Sequence, residues 1–597
     1  MTEQPQERSN SESAATGSLT HAPIFVEQMT VRHFRGIESA TVTFEPDLTL
    51  LVGRNNAGKS RLLRALAVGL QGVPAERDDV TVDGTQEPII DIVLAPRTEN
   101  EGSDEVFTRT VAQRLEDVQS ISESPVRERF AWRTFIRPSS EGFGVRADRV
   151  VMLFDIANAE WTPQPGEPAL SRAQQSIVDS DLVDSRRDLL EDLARRGSSI
   201  RRILDDLEVP DSLREELQKE LAKLGQAIVA GSNSLASVQE NLDVLSRLID
   251  TVGKATINPI PPRLEDLSRT VSIDFDAGTG TMPIRYHGAG ARSLAALQAQ
   301  GVMYARRLGR DGGDLLPHPV SLIEEPEAHL HPQAQFDLGS LLDKLRGQVV
   351  VSTHSSHLAS MVEPRGIRLV RPEGSTVEIR DLLEQRTARH EEALQVRELE
   401  RLKRTVERPF GELLFASAIV IGDGASERAL LPPLIKHRLG LRAHGICVVD
   451  PGSMGSAEAI AVVKFANRVG IPWFLFADTD DKGKEFAKRL VDDFGATDTQ
   501  RITWVSQDPD MATERMLALF DPELCEAACG AIGFEAGEDV EQFLVKNKGV
   551  YGRLVAEEFI ARRPCPEGTD LAKGLWPDSL AELIEKLDTA LPPRSLE

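Results

Sequence analysis

The segment Gly53-Arg54-Asn55-Asn56-Ala57-Gly58-Lys59-Ser60, set between the apolar run LTLLV and the run RLLRAL, constrains the fold of this 597-residue chain more than any other. A buried strand, a glycine-rich turn and a helix in direct succession leave little freedom. The glycines let the turn aim successive backbone N–H groups inward, and the helix start adds partial positive charge. Such a loop cradles a phosphate chain. Lys59 is placed to reach the β- and γ-phosphates and Ser60 to ligate Mg2+, while Gly53, Asn55, Asn56 and Gly58 supply the wrapping backbone. The expected ligand is ATP with one Mg2+ ion.

A loop of this kind needs carboxylates at the end of a neighbouring strand. Val320-Ser321-Leu322-Ile323 is an apolar run that ends in Glu324-Glu325-Pro326-Glu327-Ala328-His329-Leu330-His331-Pro332. Glu324 suits the Mg2+-bound water and Glu325 the orientation of the attacking water. The next strand, QVVVS, ends in Thr353-His354, where an imidazole can contact the γ-phosphate and link nucleotide state to conformation. His329, His331 and His357 read as packing or surface residues. Between loop and acidic strand, His287-Gly288-Ala289-Gly290-Ala291-Arg292-Ser293 resembles the signature segment of ABC ATPases, which presents backbone amides and a serine to the γ-phosphate of an opposite protomer. That resemblance assigns Gly288, Gly290 and Ser293 to nucleotide binding and implies a homodimer. The same family usually has Asp where Glu324 stands.

Beyond these motifs the chain changes character twice. From about 165 to 255, runs such as SLREELQKELAKLGQAIV carry apolar residues at three- and four-residue spacing between charges, the pattern of amphipathic helices. We read a helical insertion there, either a solvated arm or a dimerisation element. Leu382–Arg408 is charged and helical, a connector. After it, IVIGDG, GICVVDPG, WFLFADTD and RITWVS alternate with helical runs, which indicates a parallel α/β unit. The expected organisation is a disordered tail (1–22), an ATPase unit (23–375), a connector (376–410) and the C-terminal unit (411–597).

Composition excludes some classes. The polar start lacks the basic and apolar regions of a secretory signal, and no apolar run is long enough to span a bilayer. Cys447, Cys525, Cys529 and Cys565 form no disulfide framework, which fits a reducing cytoplasm; Cys525 and Cys529 read as small buried residues on one helix face, with no histidine pair nearby for zinc. A net charge of −25 argues against a protein that coats itself with nucleic acid. It does not exclude a local basic groove, because salt confines surface fields to about 8–10 Å.

The C-terminal unit carries its own acidic set. Ile419-Val420-Ile421 leads into Gly422-Asp423-Gly424-Ala425-Ser426-Glu427, and the strand WFLFA ends in Asp478-Thr479-Asp480-Asp481. Residues i and i+2 leave a strand on the same side, so Asp478 and Asp480 are expected to converge with Asp423 and Glu427 at the carboxyl ends of parallel strands. Crowded carboxylates repel unless cations neutralise them. Two Mg2+ or Mn2+ ions about 3.5–4 Å apart would stabilise both oxygens of a phosphodiester displacement. Glu514 is a further candidate ligand; Lys548, with Lys546 as competitor, is a candidate stabiliser of the scissile phosphate. The pattern resembles the Toprim domain, an early Glu followed by Asp-x-Asp, with Asp423 where that family usually has Glu.

Phosphate loop, signature-like segment, IEEPEAHLHP, THSSH and then the Toprim pattern resemble, in that order, the OLD (overcoming lysogenisation defect) family of ATPase–nucleases. The resemblance implies an α/β fold: an ABC-type P-loop ATPase head with a helical dimerisation insertion, plus a C-terminal Toprim parallel α/β domain. It implies metal-dependent nicking or cleavage of DNA regulated by ATP, in proteins often associated with phage defence and sometimes with a helicase-like partner. Two other readings compete. One is an ATP-driven DNA-binding or sensing protein of the RecF/SMC kind with a non-cutting Toprim scaffold. The other, a topoisomerase, needs a tyrosine nucleophile; Tyr286 and Tyr304 sit beside the signature-like loop and in the helix after it, and Tyr551 has no clear nucleophile context, so that reading is discounted.

Overall fold

The computed structural model describes residues 23–80, 86–98, 103–139, 144–184, 210–232, 274–276, 281–283, 286, 292, 295, 317–328, 330–345, 347–373, 376–382, 398, 402, 411–422, 424–452, 457–494, 498–566 and 574–591. The tail, most of the connector and most of the expected insertion lie outside them. Within the expected insertion, Asp211–Gly231 is a helix, but Val178–Val183 is a strand of the head sheet, as is Thr376–Asp381 at the start of the expected connector.

In chain order the head contains β1 (Ile24–Phe34), β2 (Ile37–Thr43), β3 (Leu48–Val52), β4 (Ile89–Pro96), β5 (Gln119–Glu123), β6 (Val126–Pro138), β7 (Val145–Asp155), β8 (Glu160–Pro163) and β9 (Val178–Val183). A hairpin follows, β10 (Asp274–Asp276) with β11 (Thr281–Pro283), and then β12 (His318–Glu324), β13 (Gln348–Thr353), β14 (Ile367–Glu373) and β15 (Thr376–Asp381). Two sheets form. One is antiparallel, in the order β2-β1-β4-β6-β7-β8 with β5 on β6; the other, β15-β14-β3-β13-β12-β9, is parallel except for its β15 edge. The helix Lys59–Gly69 lies between them. Its Leu62, Leu63 and Leu66 pack with Ile90 and Ile92 of one sheet and Val320 and Leu322 of the other, and Trp132 Nε1 donates to its Gly69 carbonyl at 3.1 Å.

The antiparallel sheet is laced by charge as well as apolar contact. Arg133 lies opposite Asp91 across β6 and β4 and binds it at 2.6 and 2.8 Å. Arg129, nearly fully buried, holds Glu27 and Glu105. Pairing of this kind is what lets long guanidinium side chains enter a strand interior.

The C-terminal sheet is parallel throughout, in the order β17 (Ile446–Val449), β16 (Ala418–Ile421), β18 (Trp473–Ala477) and β19 (Ile502–Trp504). Period-two alternation sorts its side chains. Ala418, Val420, Phe474 and Phe476 face a core with helices Ala425–Leu439, Tyr551–Arg562 and Asp578–Ala590. Ile419, Ile421, Leu475 and Ala477 face Val462, Phe465 and Phe486. That second core is continuous with the head: it also holds Leu50, Ile323, Val351 and Leu358. Guanidiniums finish the seam. Arg371 donates to Gly470 O at 2.6 Å and Arg468 to Asp381 O at 2.7 Å. Arg371 and Arg380, which reaches Arg468 O at 3.4 Å, thus place cations at the carbonyl end of the helix Ala457–Val469.

Cys525 and Cys529 are buried in the helix Pro522–Cys529. Burial pushes their thiols up, to about 12 and about 11. Since only the thiolate reacts, the native protein at pH 8 is expected to alkylate first at Cys447, which is half-buried. Cys525 and Cys529 should be modified only on denaturation, as read by peptide mass mapping. Among the described residues no helix is long and apolar enough to cross a membrane.

Candidate functional site

The head sheet sets β3, β13 and β12 side by side in parallel, so the phosphate loop, His354 and the glutamates leave the same edge. Gly53 is needed for close approach: a Cβ there would run into Val370 O of β14. Gly58 takes φ +105°, a left-handed conformation, and starts the helix. Arg54, Asn55, Asn56 and Ser60 are exposed around the opening. Lys59 folds back into the loop, donating to Gly53 O at 2.9 Å and Arg54 O at 3.1 Å, with its Nζ 2.7 Å from His354 Nε2. Burial pulls its ammonium down to about 8, against the opposing pull of Glu325, Glu327 and Glu324.

The same His354 Nε2 lies 3.1 Å from Glu325 Oε1. Burial first, and the Lys59 charge next, hold the imidazole below its ordinary pKa. A neutral ring can accept from Lys59 through Nε2 or donate to Glu325 through it, not both. Glu325 takes φ +42°, with its N–H bonded to Ser352 O at 2.9 Å. Glu324 ends β12, in register with Ser352. Gly288, Gly290 and Ser293 lie outside the described residues.

In the C-terminal sheet the strand ends converge as well. Glu427 sits in the first turn of Ala425–Leu439 and Glu514 in the first turn of Thr513–Phe520, 3% and 2% exposed. Glu514 Oε1 accepts from Ser426 Oγ at 2.6 Å and pairs with Lys548 Nζ at 3.1 Å. Asp478 Oδ1 accepts from Thr513 N–H at 3.1 Å. Burial opposes the Lys548 charge, but Glu514, Glu427 and Asp478 together raise its pKa. These four side chains therefore share one neighbourhood. Asp480 is engaged differently, its Oδ1 accepting from Gly483 N–H at 2.7 Å at the start of Asp481–Phe494. Asp423 lies outside the described residues. Lys548, not Lys546, makes the recorded ion pair with Glu514.

The donor set is all oxygen, which suits Mg2+ or Mn2+. Among the described residues no three His, Cys, Asp or Glu side chains already form a ligand cage. Tyr551, by contrast, is fully buried, its phenol pushed up by burial and by Glu514, and has no access for nucleophilic attack.

Some contributors escaped the sequence reading. Glu327 Oε1 accepts from Thr353 Oγ1 (2.6 Å), His354 N–H (2.7 Å) and Ser355 N–H (3.1 Å), fixing the turn that carries His354. The third carboxylate of EEPE was its only signal. Ser426 and Thr513, each beside an acidic residue, orient Glu514 and Asp478. Arg54 donates to Ser417 Oγ, just ahead of β16, and so ties the phosphate loop to the C-terminal sheet.

Two family models match the chain: an AAA ATPase domain over residues 25–95 and 163–359, and an overcoming lysogenization defect protein-like TOPRIM domain over 414–480. The OLD nuclease of Thermus scotoductus is 24% identical over 491 residues, covering 76% of this chain and 82% of that protein. The Old nuclease of Escherichia phage P2 is 21% identical over 485 residues, 76% of each. Among solved structures, an Smc head domain with an extended coiled coil bound to the C-terminal domain of ScpA, from Pyrococcus furiosus, aligns over 60% of this chain and 96% of its own, at 14% identity and TM-score 0.34.

Removing the Glu327 carboxylate strands three donors, so Glu327→Ala should lower stability by about 2–4 kcal/mol. Glu325→Ala, at a half-exposed side chain, should stay within about 1 kcal/mol. Denaturant unfolding of both variants checks this ordering.

Proposed function

We infer, since the chain belongs to the OLD family of ATPase–Toprim proteins, that it binds and hydrolyses ATP and cuts DNA phosphodiesters with the help of divalent cations. The observation that carries the cutting half is the meeting of Glu427, Glu514 and Asp478 around Lys548 at the carboxyl ends of one parallel sheet. Asp423, Glu427, Asp478, Asp480 and Glu514 would hold Mg2+ or Mn2+. When bound, the ions supply charge neutralisation at the attacking and leaving oxygens of the phosphodiester. The chain's own part is to fix the carboxylates through Ser426 and Thr513 and to keep a charged Lys548 for the scissile phosphate.

At the head, Lys59 binds the β- and γ-phosphates, Ser60 and Glu324 serve Mg2+, and Glu325 orients water. Phosphate that draws Lys59 out of the loop frees His354 Nε2 to donate to Glu325 or to phosphate. His354 therefore reads occupancy, which supports ATP as regulator of cutting. The route to the second site is short: the helix Ser356–Met361 follows His354 directly, and its Ser360 Oγ accepts from Gly411 N–H at 2.9 Å, at the start of the helix Gly411–Leu414 ahead of β16. We further read a homodimer, with heads meeting through the segment holding Gly288, Gly290 and Ser293 and through the helical insertion. A cytoplasmic setting in phage defence or DNA repair, with a helicase-like partner, is the corresponding biological reading.

Two variants test these assignments. Asp478→Ala should reduce Mg2+- or Mn2+-dependent nicking of plasmid DNA at least about a hundredfold while ATP hydrolysis is unchanged; unaltered nicking would favour a non-cutting scaffold and place any nuclease centre elsewhere. Lys59→Ala should abolish ATP turnover yet leave some cutting. Loss of both would make nucleotide obligatory for cleavage.

A further inference from the structure

The loop 505–512, which follows β19, serves two features at once. Just past its end, Thr513 N–H holds Asp478 Oδ1 at 3.1 Å. Thr479, between the two aspartates, pins its middle, donating to Asp508 O at 2.6 Å and accepting from Met511 N–H at 2.8 Å. The same loop walls an open cleft of about 870 Å³. Lys484 of the helix Asp481–Phe494, Trp504 of β19, and Met516, Leu519 and Phe520 of the helix Thr513–Phe520 line the rest of it. The segments that carry Asp478, Asp480 and Glu514 therefore also build this cleft. Leu519 follows Glu514 by five residues, about 7.5 Å along the helix axis.

The lining is largely apolar, and one ring in it is unused. Phe520 is already engaged, stacked on Phe559 at 5.9 Å and covered by Arg563 at 4.8 Å. Trp504 is half-buried; among the described residues no other ring stacks on it and its indole N–H has no partner. Leu519 is 65% exposed. A free indole and an exposed leucine in one cleft suit a flat, largely apolar group. The charges narrow the choice. Asp508, Asp578 and Glu582 of the lining repel a phosphate, whereas carboxylates accept from the exocyclic amino groups of nucleobases. Lys484 and Lys488, exposed and one turn apart on Asp481–Phe494, are bound to no carboxylate among the described residues and are available to phosphates alongside. We propose that the cleft takes one nucleobase of the DNA strand being cut, a nucleotide or two from the scissile phosphate, stacked on Trp504 with Lys484 on a neighbouring phosphate. This subsite rests on the metal-nuclease reading above. It requires the strand to be unstacked beside the cut, as it is wherever a base leaves the helix for a protein pocket.

The test removes the base and the ring separately and together. DNA oligonucleotides of one sequence, each with an abasic tetrahydrofuran residue at a different position around the mapped cut, are cleaved by the full-length protein in Mn2+. With wild type, an abasic residue at one position beside the cut is expected to lower kcat/KM about tenfold, the loss of a base stacked on an aromatic ring. Trp504→Ala should lower kcat/KM on the intact strand by a similar factor and lose little more at that position, because ring and base form one contact. Trp504→Phe should restore most of the rate. Leu519→Arg, which puts a long side chain into the cleft from an exposed position, should behave as Trp504→Ala does, with a melting temperature within about 2 °C of wild type. A flat abasic scan in a wild-type protein that cuts overturns the subsite, as do losses from Trp504→Ala and the abasic residue that multiply instead of overlapping. A wild-type protein that cuts no DNA in Mg2+ or Mn2+ overturns the nuclease reading itself.

Discussion

Two nearly buried carboxylates on different helices, Glu427 and Glu514, both act on the half-exposed ammonium of Lys548, which pairs with Glu514 at 3.1 Å. Much of the C-terminal architecture follows from holding acidic groups close together out of water. Like charges a few ångströms apart in a medium of effective dielectric about 20 repel by about 4 kcal/mol. Burial adds a desolvation cost of its own. A fold tolerates such an arrangement only if the surrounding framework over-determines it. Here the framework is a short parallel sheet whose strand ends open on one side, with Ser426, Thr513 and the closely packed start of Tyr551–Arg562 leaving the acidic groups little freedom to turn away.

The head meets a comparable difficulty with the opposite sign. Its buried cation, Lys59, is surrounded by loop carbonyls and a neutral imidazole, and the nearest carboxylates do not fully offset burial, so its pKa is depressed. An anionic phosphate chain removes that deficit. The phosphate-loop site is thus incomplete in charge in a way that an anionic ligand at Lys59 corrects. Such groups are held ready by the fold and reach their most favourable state only in the liganded protein.

What the sequence disclosed follows from what was contiguous in it. The phosphate loop, EEPE, Thr353-His354 and Asp478-Thr479-Asp480 each carry their chemistry within a few residues, next to an apolar strand, so type and location could be read together. The rest depends on contacts across distance. Glu327 becomes a buttress only once β12 and β13 pair and set its carboxylate against the turn after Thr353. Ser426 and Glu514 are joined only by folding. The strands β5 to β8 were passed over for a related reason. Arg127, Arg129, Arg133 and Arg137 break the apolar alternation of β6, and the counter-charges that admit three of them, Glu27, Asp91 and Glu87, stand on or beside strands far away in the chain. Asp480 shows the converse. Its spacing from Asp478 fits a shared site, while its position at a helix start offers it a backbone N–H partner.

The seam between the two halves bears on how they communicate. A flexible tether would let the head change conformation without consequence for the C-terminal sheet. Here the helix after His354 packs on the short helix leading into β16, Arg54 of the phosphate loop donates to Ser417, and Arg371 and Arg468 exchange bonds across the same junction. One apolar core runs beneath all of these contacts. Close-packed interiors deform by discrete repacking, not by gradual yielding. On the reading proposed above, a shift of His354 or Arg54 on nucleotide binding would be carried into the strand that ends beside Glu427, because the intervening contacts leave few softer places to absorb it.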